Sequence, residues 1–194
     1  MATKRKRKNT GGKPLIITFV CLVAVTLAVF GVFFGADKYE RSTHPMLYSD
    51  LVDRYSSQYK LDKYAVYSFI CVESGFNENS ESYLGARGLM QIMPATGEWI
   101  AGKLDDVFDV QRLYEPSVNL RYGCWYLRFL LDRYDGDMRT ASTAYHQGQG
   151  RVDEWLQDPQ YSQDGRTLTA ISSAVTDTYV NRIMESYEHY KELY

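Results

Sequence analysis

Apolar residues fall along this chain in two regimes. Leu15 to Phe34 is a run of twenty residues with no charge and no proline. Beyond it, apolar positions recur every three or four residues between polar ones, the period of a helix with one buried face. Leu47, Leu51 and Tyr55 predict a helix over Met46 to Tyr59. Val66, Phe69 and Ile70 mark the next, with Asp62 placed to cap its start and Gly75 to end it in a left-handed position. Pro94 suits the first turn of a short helix ending near Gly102. Pro116 similarly opens the longest soluble helix, to about Tyr134, with Leu120, Cys124, Leu127 and Leu131 in one stripe and Gly123 permitting close packing. Asp135-Gly136-Asp137 stops it, and Met138, Ala141 and Tyr145 mark its successor. A last helix, capped by Thr176, carries Tyr179, Val180, Ile183, Met184, Tyr187 and Tyr190. No segment alternates as a strand with hairpin turns, and no repeat has solenoid length. The body is expected to be all-α, with roughly 150 residues around one core.

Charge changes the reading of the N-terminus. The first thirteen residues hold Lys4, Arg5, Lys6, Arg7, Lys8 and Lys13 and no acid. The rest of the chain carries sixteen Lys and Arg against twenty-four Asp and Glu, a net charge of −8. A basic tail in front of an acidic body could bind nucleic acid, but here an uncharged run long enough to span a bilayer follows at once. The tail, residues 1–14, therefore reads as a topology signal that keeps the N-terminus in the cytoplasm, and no nucleic-acid partner is expected. Residues 15–34 then form a single transmembrane anchor, residues 35–45 a short polar tether, and residues 46–194 a domain outside the cytoplasm. A cleaved signal peptide fits less well: Ala36 is the nearest small residue for a cleavage site, and Phe34 stands two positions before it.

One carboxylate stands out. The spacing of Val66, Phe69 and Ile70 puts Glu73 on the same apolar face, in the last turn before Gly75. Burial and the negative end of the helix dipole both disfavour its anion. Both keep a proton on Glu73, as a general acid near neutral pH requires. Taken alone, Glu73 could equally rotate out to water. The cysteines add little: Cys21 lies in the anchor, and Cys71 and Cys124 sit in apolar helical contexts where a thiol packs as a small hydrophobe, a disulfide between them being the alternative. His44, His146 and His189 are far apart in sequence, and with no metal-ligand motif no metal is expected.

The loop after Glu73 decides between those readings. Glu73-Ser74-Gly75, then Ser82-x-x-Gly85-Ala86-x-Gly88-Leu89-Met90-Gln91, then Pro94-x-Thr96, resembles the soluble-lytic-transglycosylase (SLT) type of catalytic domain. The resemblance covers residues 46–194 and implies a goose-type lysozyme-like helical fold that cleaves peptidoglycan glycan strands without a cofactor. It implies that Glu73 protonates the oxygen between N-acetylmuramic acid and N-acetylglucosamine. Glu73 would then act as base on the muramoyl 6-hydroxyl, leaving a 1,6-anhydro end. It further implies that Ser82, Met90, Gln91, Tyr145 and Tyr179 hold the sugar. Ala144-Tyr145-His146-Gln147-Gly148 resembles the family's Ala-Tyr-Asn-x-Gly, with His146 replacing asparagine; both can hydrogen-bond a sugar, but His146 can also titrate. Val175-Thr176-Asp177-Thr178-Tyr179-Val180 resembles Glu-Thr-Arg-x-Tyr-Val, with Val175 where the glutamate usually stands. Two other classes stay open: a muramidase using water, which needs a second carboxylate such as Glu78 or Glu81, and a non-catalytic glycan-binding wall-assembly module.

Overall fold

The computed structural model describes the backbone of residues 13–194 and, within the first helix, the side chains of residues 22–32, 35 and 38–43. The chain divides into two units, residues 1–43 and 44–194. In the first, helix α1 spans Lys13–Thr43. It runs on through the polar stretch expected to be a tether, with the Ser42 and Thr43 hydroxyls donating to the Tyr39 and Glu40 carbonyls. The expected bilayer-spanning helix at 15–34 is not supported: among the described residues, no helix is long and apolar enough to cross a membrane. Residues 22–32 are the described part of the uncharged run, shorter than the roughly twenty residues a span needs. The side chains of residues 15–21, like the basic tail up to residue 12, lie outside the described residues.

The second unit is helical, with helices α2 (Ser49–Gln58), α3 (Lys63–Ser74), α4 (Pro94–Lys103), a 3₁₀ turn (Val110–Tyr114), α5 (Pro116–Arg133), α6 (Met138–Gln147), α7 (Gln149–Leu156) and α8 (Ala174–Leu193). Asp62 caps α3 by accepting from the Tyr64 N–H, and Gly75 ends it at φ 57°, ψ 35°, as expected. Pro94 and Pro116 open α4 and α5, and Asp137 caps α6. Helix α5 is the axis of the core: Leu120, Cys124, Leu127 and Leu130 are fully buried, among Val52, Val66, Ile70 and Ile100 from the helices around it. Helix α8 packs along α3 and α6, and its Tyr190 stacks on Tyr67 with ring centroids 5.4 Å apart. The Tyr190 hydroxyl also donates to the Pro45 carbonyl at 3.0 Å.

Three details differ from the expected elements. Helix α2 starts at Ser49 rather than Met46, because Tyr48 takes a left-handed conformation (φ 57°) whose carbonyl accepts from Leu51 and Val52. Helix α8 is capped by Ser173, which accepts from the Thr176 N–H; Thr176 is inside the helix and fully buried. Helix α7 and the 3₁₀ turn carry too few apolar positions to show a period. Among the described residues, extended pairing is confined to two isolated bridges, Glu81 with Arg87 and Arg87 with Ile92, in the loop that follows α3.

Candidate active site

Glu73 occupies the last turn of α3, just before the left-handed Gly75. Its neighbour Ser74 donates to the Leu89 carbonyl at 2.8 Å and so ties the loop of residues 80–92 to the helix end. The loop is closed on itself by paired bonds between Arg87 and Ile92 and by Gly88 N–H to the Ser80 carbonyl. Ser82 holds its tip, donating its backbone N–H to the Ala86 carbonyl at 2.9 Å and accepting the Ala86 N–H on its hydroxyl at 3.0 Å. Gln91 sits at φ 48°, and its side-chain amide donates to the Ser80 and Gly88 carbonyls.

Asn119 of α5 anchors this loop from inside. It is fully buried; its Oδ1 accepts the Met90 N–H at 2.7 Å, and its Nδ2 donates to the Arg87 and Leu113 carbonyls at 2.8 and 2.7 Å. Gly88 lies so close that a Cβ would overlap the Leu113 carbonyl and the Asn119 amide, and its φ is +74°. Hence glycine is required there. The Met90 side chain is fully buried against Gly123 of α5, so Met90 offers the site its backbone only. Its carbonyl accepts from the Tyr145 hydroxyl at 2.8 Å.

The tyrosines of α6 and α8 converge on the acid. The Tyr179 hydroxyl donates to Glu73 Oε1 at 2.6 Å. Burial pushes the Glu73 carboxyl up to about 7, against the Tyr179 hydrogen bond and the Arg182 charge, which both favour the anion. Glu73 is thus half-protonated near neutrality. The His146 ring lies on Tyr179 with centroids 4.5 Å apart. Gln147 Nε2 donates to the Thr176 hydroxyl, which in turn stands 3.2 Å from His146 Nδ1. Burial lowers the pKa of His146, which favours its neutral form.

Gln91, Tyr145 and His146 line one pocket of about 240 Å³, together with Met93, Thr96 and Tyr126. Of the residues named from sequence, Ser82 and Met90 do not line it. Glu73 is joined to it through Tyr179, on which His146 lies. Glu78 and Glu81 are engaged elsewhere: Tyr48 donates to Glu78 at 3.0 Å, and Tyr114 and Arg87 hold Glu81, whose carboxyl the Tyr114 hydrogen bond keeps below its ordinary value. Val175, which stands where the family's glutamate usually is, is exposed at the start of α8. Cys71 and Cys124 remain thiols. Sequence reasoning missed Asn119 and the Gln147–Thr176 pair. Asn119 could have been found, since it lies four residues before Gly123 on the face that meets Met90.

Residues 50–167 match the family model described as Transglycosylase SLT domain. The chain belongs to the SLT transglycosylase family. It is 30% identical over 151 residues to the soluble lytic murein transglycosylase of Salmonella typhimurium, covering 76% of this chain and 23% of that protein. The domain therefore spans about a quarter of the length of that relative. Among solved structures, the 70 kDa soluble lytic transglycosylase of Escherichia coli aligns with a TM-score of 0.71 at 25% identity, over 79% of this chain and 25% of that one. An inactive glutamate-to-glutamine variant of the lytic transglycosylase Slt from Pseudomonas aeruginosa aligns with a TM-score of 0.67 at 26% identity, over 77% of this chain and 25% of that one. The SLT domain here has the helical, lysozyme-like architecture of these neighbours.

Proposed function

We propose that this SLT domain cleaves peptidoglycan between N-acetylmuramic acid and N-acetylglucosamine as a lytic transglycosylase, with Glu73 as acid and then base. The observation that carries the reading is the Glu73 carboxyl, raised to about 7 by burial while Tyr179 holds one oxygen. A carboxyl with that poise donates a proton and takes one back at the same pH. In the first step Glu73 protonates the bridging oxygen, the glycosidic bond breaks, and the 2-acetamido carbonyl stabilises the anomeric carbon. In the second, ionised Glu73 takes the proton of the muramoyl 6-hydroxyl as its oxygen bonds to that carbon. The enzyme returns to its starting state, no water enters, and a 1,6-anhydro end forms.

The geometry favours this route over water. An inverting hydrolase uses a second carboxylate to hold water on the opposite face of the sugar. Glu78 and Glu81 are committed to Tyr48, Tyr114 and Arg87 instead. The 6-hydroxyl is already tethered to the reacting ring, so it attacks at high effective concentration. Gln91, Tyr145 and His146 bind the sugar from the pocket wall. Tyr179 sets the acid, while Met90 and Ser82 shape the loop. The test is lysis of purified peptidoglycan by the soluble domain and by Glu73→Gln. The variant is expected to lose about a hundred-fold or more in rate while staying folded; unchanged lysis by a folded variant would remove Glu73 from the reaction.

The reading extends to the N-terminus: residues 15–34 hold the domain at the membrane, with residues 37–194 outside the cytoplasm. The sequence supports it with twenty uncharged residues behind six cations. So does the exposure of Leu22, Val25, Leu27 and Val32 on α1 among the described residues.

A further inference from the structure

Arg182, Ser186 and His189 follow one another four and three residues apart, so they share one face of α8. That face borders a hollow of about 240 Å³ within the second unit, lined on its other sides by His44 and by Cys71 of α3. The hollow shares no lining residue with the pocket beside Tyr145. The His44 ring lies 5.2 Å from the His189 ring, centroid to centroid, and meets the Tyr190 ring edge-on at 5.2 Å. Tyr190 is itself fixed by Tyr67 and the Pro45 carbonyl, so the His44 ring has a defined place.

The polar groups around this hollow are mostly donors. Among the described residues, Arg182 takes part in no salt bridge. The Ser186 hydroxyl is buried and, apart from the Cys71 thiol beside it, has no hydrogen-bond partner. Buried polar groups are ordinarily paired, so a hydroxyl left open at a hollow points to a ligand. Burial pushes the Cys71 thiol up, so it adds no negative charge. The carboxylate among the lining residues is Glu185, exposed on α8. Glu188, next to His189 in sequence, is held by Lys191. With both imidazoles neutral, the charges of Arg182 and Glu185 cancel. Each proton taken up by His44 or His189 makes the hollow positive, and facing imidazolium rings repel unless an anion joins them. A guanidinium fork, a hydroxyl and two ring N–H groups reach in from α8 and from the start of the unit. Donors spread in this way suit a tetrahedral oxyanion better than a planar carboxylate.

We infer that the His44–Arg182–His189 hollow binds a phosphate-type oxyanion, either free phosphate or the head of a phosphate ester. The consequence reaches the acid. The Arg182 charge favours ionised Glu73. An anion seated on Arg182 offsets that charge, so Glu73 keeps its proton to higher pH. This consequence rests on the catalytic reading of Glu73; the binding itself does not.

The experiment is calorimetry on the full-length protein in neutral detergent micelles, with inorganic phosphate and glycerol 3-phosphate as probes and chloride at equal ionic strength as reference. Saturable binding of one anion per chain is expected. Arg182→Gln, at an exposed position, should weaken it about ten-fold or more. His189→Gln should weaken it several-fold, and Glu185→Gln, which removes the opposing carboxylate, should tighten it. Sulfate, whose charge is constant between about pH 6 and 8, should bind more tightly as pH falls and the imidazoles ionise. No saturable binding, affinity for sulfate that ignores pH, or equal weakening by Arg151→Gln on α7 would overturn the inference. Micelles carrying phosphatidic acid then separate the sources. Displacement of phosphate by the lipid at lower concentration than by glycerol 3-phosphate upholds the site with a lipid head as its ligand; displacement no better than that upholds it with a soluble phosphate. In lysis assays, phosphate should move the alkaline fall of kcat/KM to higher pH in the parent and not in Arg182→Gln. Binding with an unmoved parent profile would place the anion away from Arg182 and overturn the site. If no strand is cleaved, the catalytic reading fails and the calorimetry alone decides.

Discussion

The Tyr179 hydroxyl meets Glu73 Oε1 at 2.6 Å, joining the end of α3 to the first turns of α8. The bond favours the carboxylate, yet burial outweighs it and holds the carboxyl at about 7. The acid is therefore tuned by burial on one side and by the Tyr179 bond and the Arg182 charge on the other.

Removing the bond should move the pH profile in one direction. In Tyr179→Phe the anion loses a donor, so the Glu73 pKa rises further. Because the first step needs protonated Glu73, the alkaline fall of kcat/KM lies near pH 7 in the parent protein. It is expected at higher pH in the variant, together with a reduced maximum. A profile shifted to lower pH would contradict the role given to Tyr179.

The same acid costs the fold stability. Glu73 titrates at about 7 in the folded chain against 4.5 as an ordinary glutamate. Below the lower value both states are protonated and nothing is lost. As pH rises through the window, the unfolded chain ionises first and stability falls, by roughly 3 kcal/mol once both have ionised. Glu73→Gln has no such penalty. Chemical denaturation should find the two proteins alike in acid and the glutamine variant more stable above neutrality.

Asn119 should matter as much as any site residue without touching substrate. Asn119→Leu leaves the Met90 N–H and the Arg87 and Leu113 carbonyls unpaired in the interior. The expected cost is on the order of 3 kcal/mol, with loss of lysis from disorder of the 80–92 loop. A denaturation midpoint and activity equal to the parent's would show that the loop holds its shape without it.

Much of this was legible because it depends on period and cap chemistry. Glu73 follows Val66, Phe69 and Ile70 at helical spacing; the Asp62 carboxylate caps its helix, and Gly75, lacking a Cβ, ends it in the left-handed conformation. Gly88 stands in the quoted motif, but its reason, the Leu113 carbonyl and the Asn119 amide against it, is visible only in the structure. What stayed hidden depends on which way a side chain turns. Met90 stands in the loop motif but faces the core against Gly123, and Thr176 looks like a cap but is buried, with Ser173 capping in its place.

The anchor reading has its own test. Full-length protein is expected in the membrane fraction, released by detergent and not by high salt. Protease added outside wall-stripped cells should digest the domain. Recovery in the salt-soluble fraction, or protection until the membrane is broken, would set that reading aside.

The most direct measurement of the central claim is the product itself. Purified peptidoglycan is digested by the soluble domain in water enriched in heavy oxygen, and the unreduced muropeptides are weighed by mass spectrometry. With Glu73 serving as both acid and base, the expected products end in 1,6-anhydro-N-acetylmuramic acid, lighter than the hydrolysed form by one water and free of heavy oxygen. Reducing muramic acid ends that carry heavy oxygen, as the main product, would contradict the account and direct attention to Glu78 and Glu81.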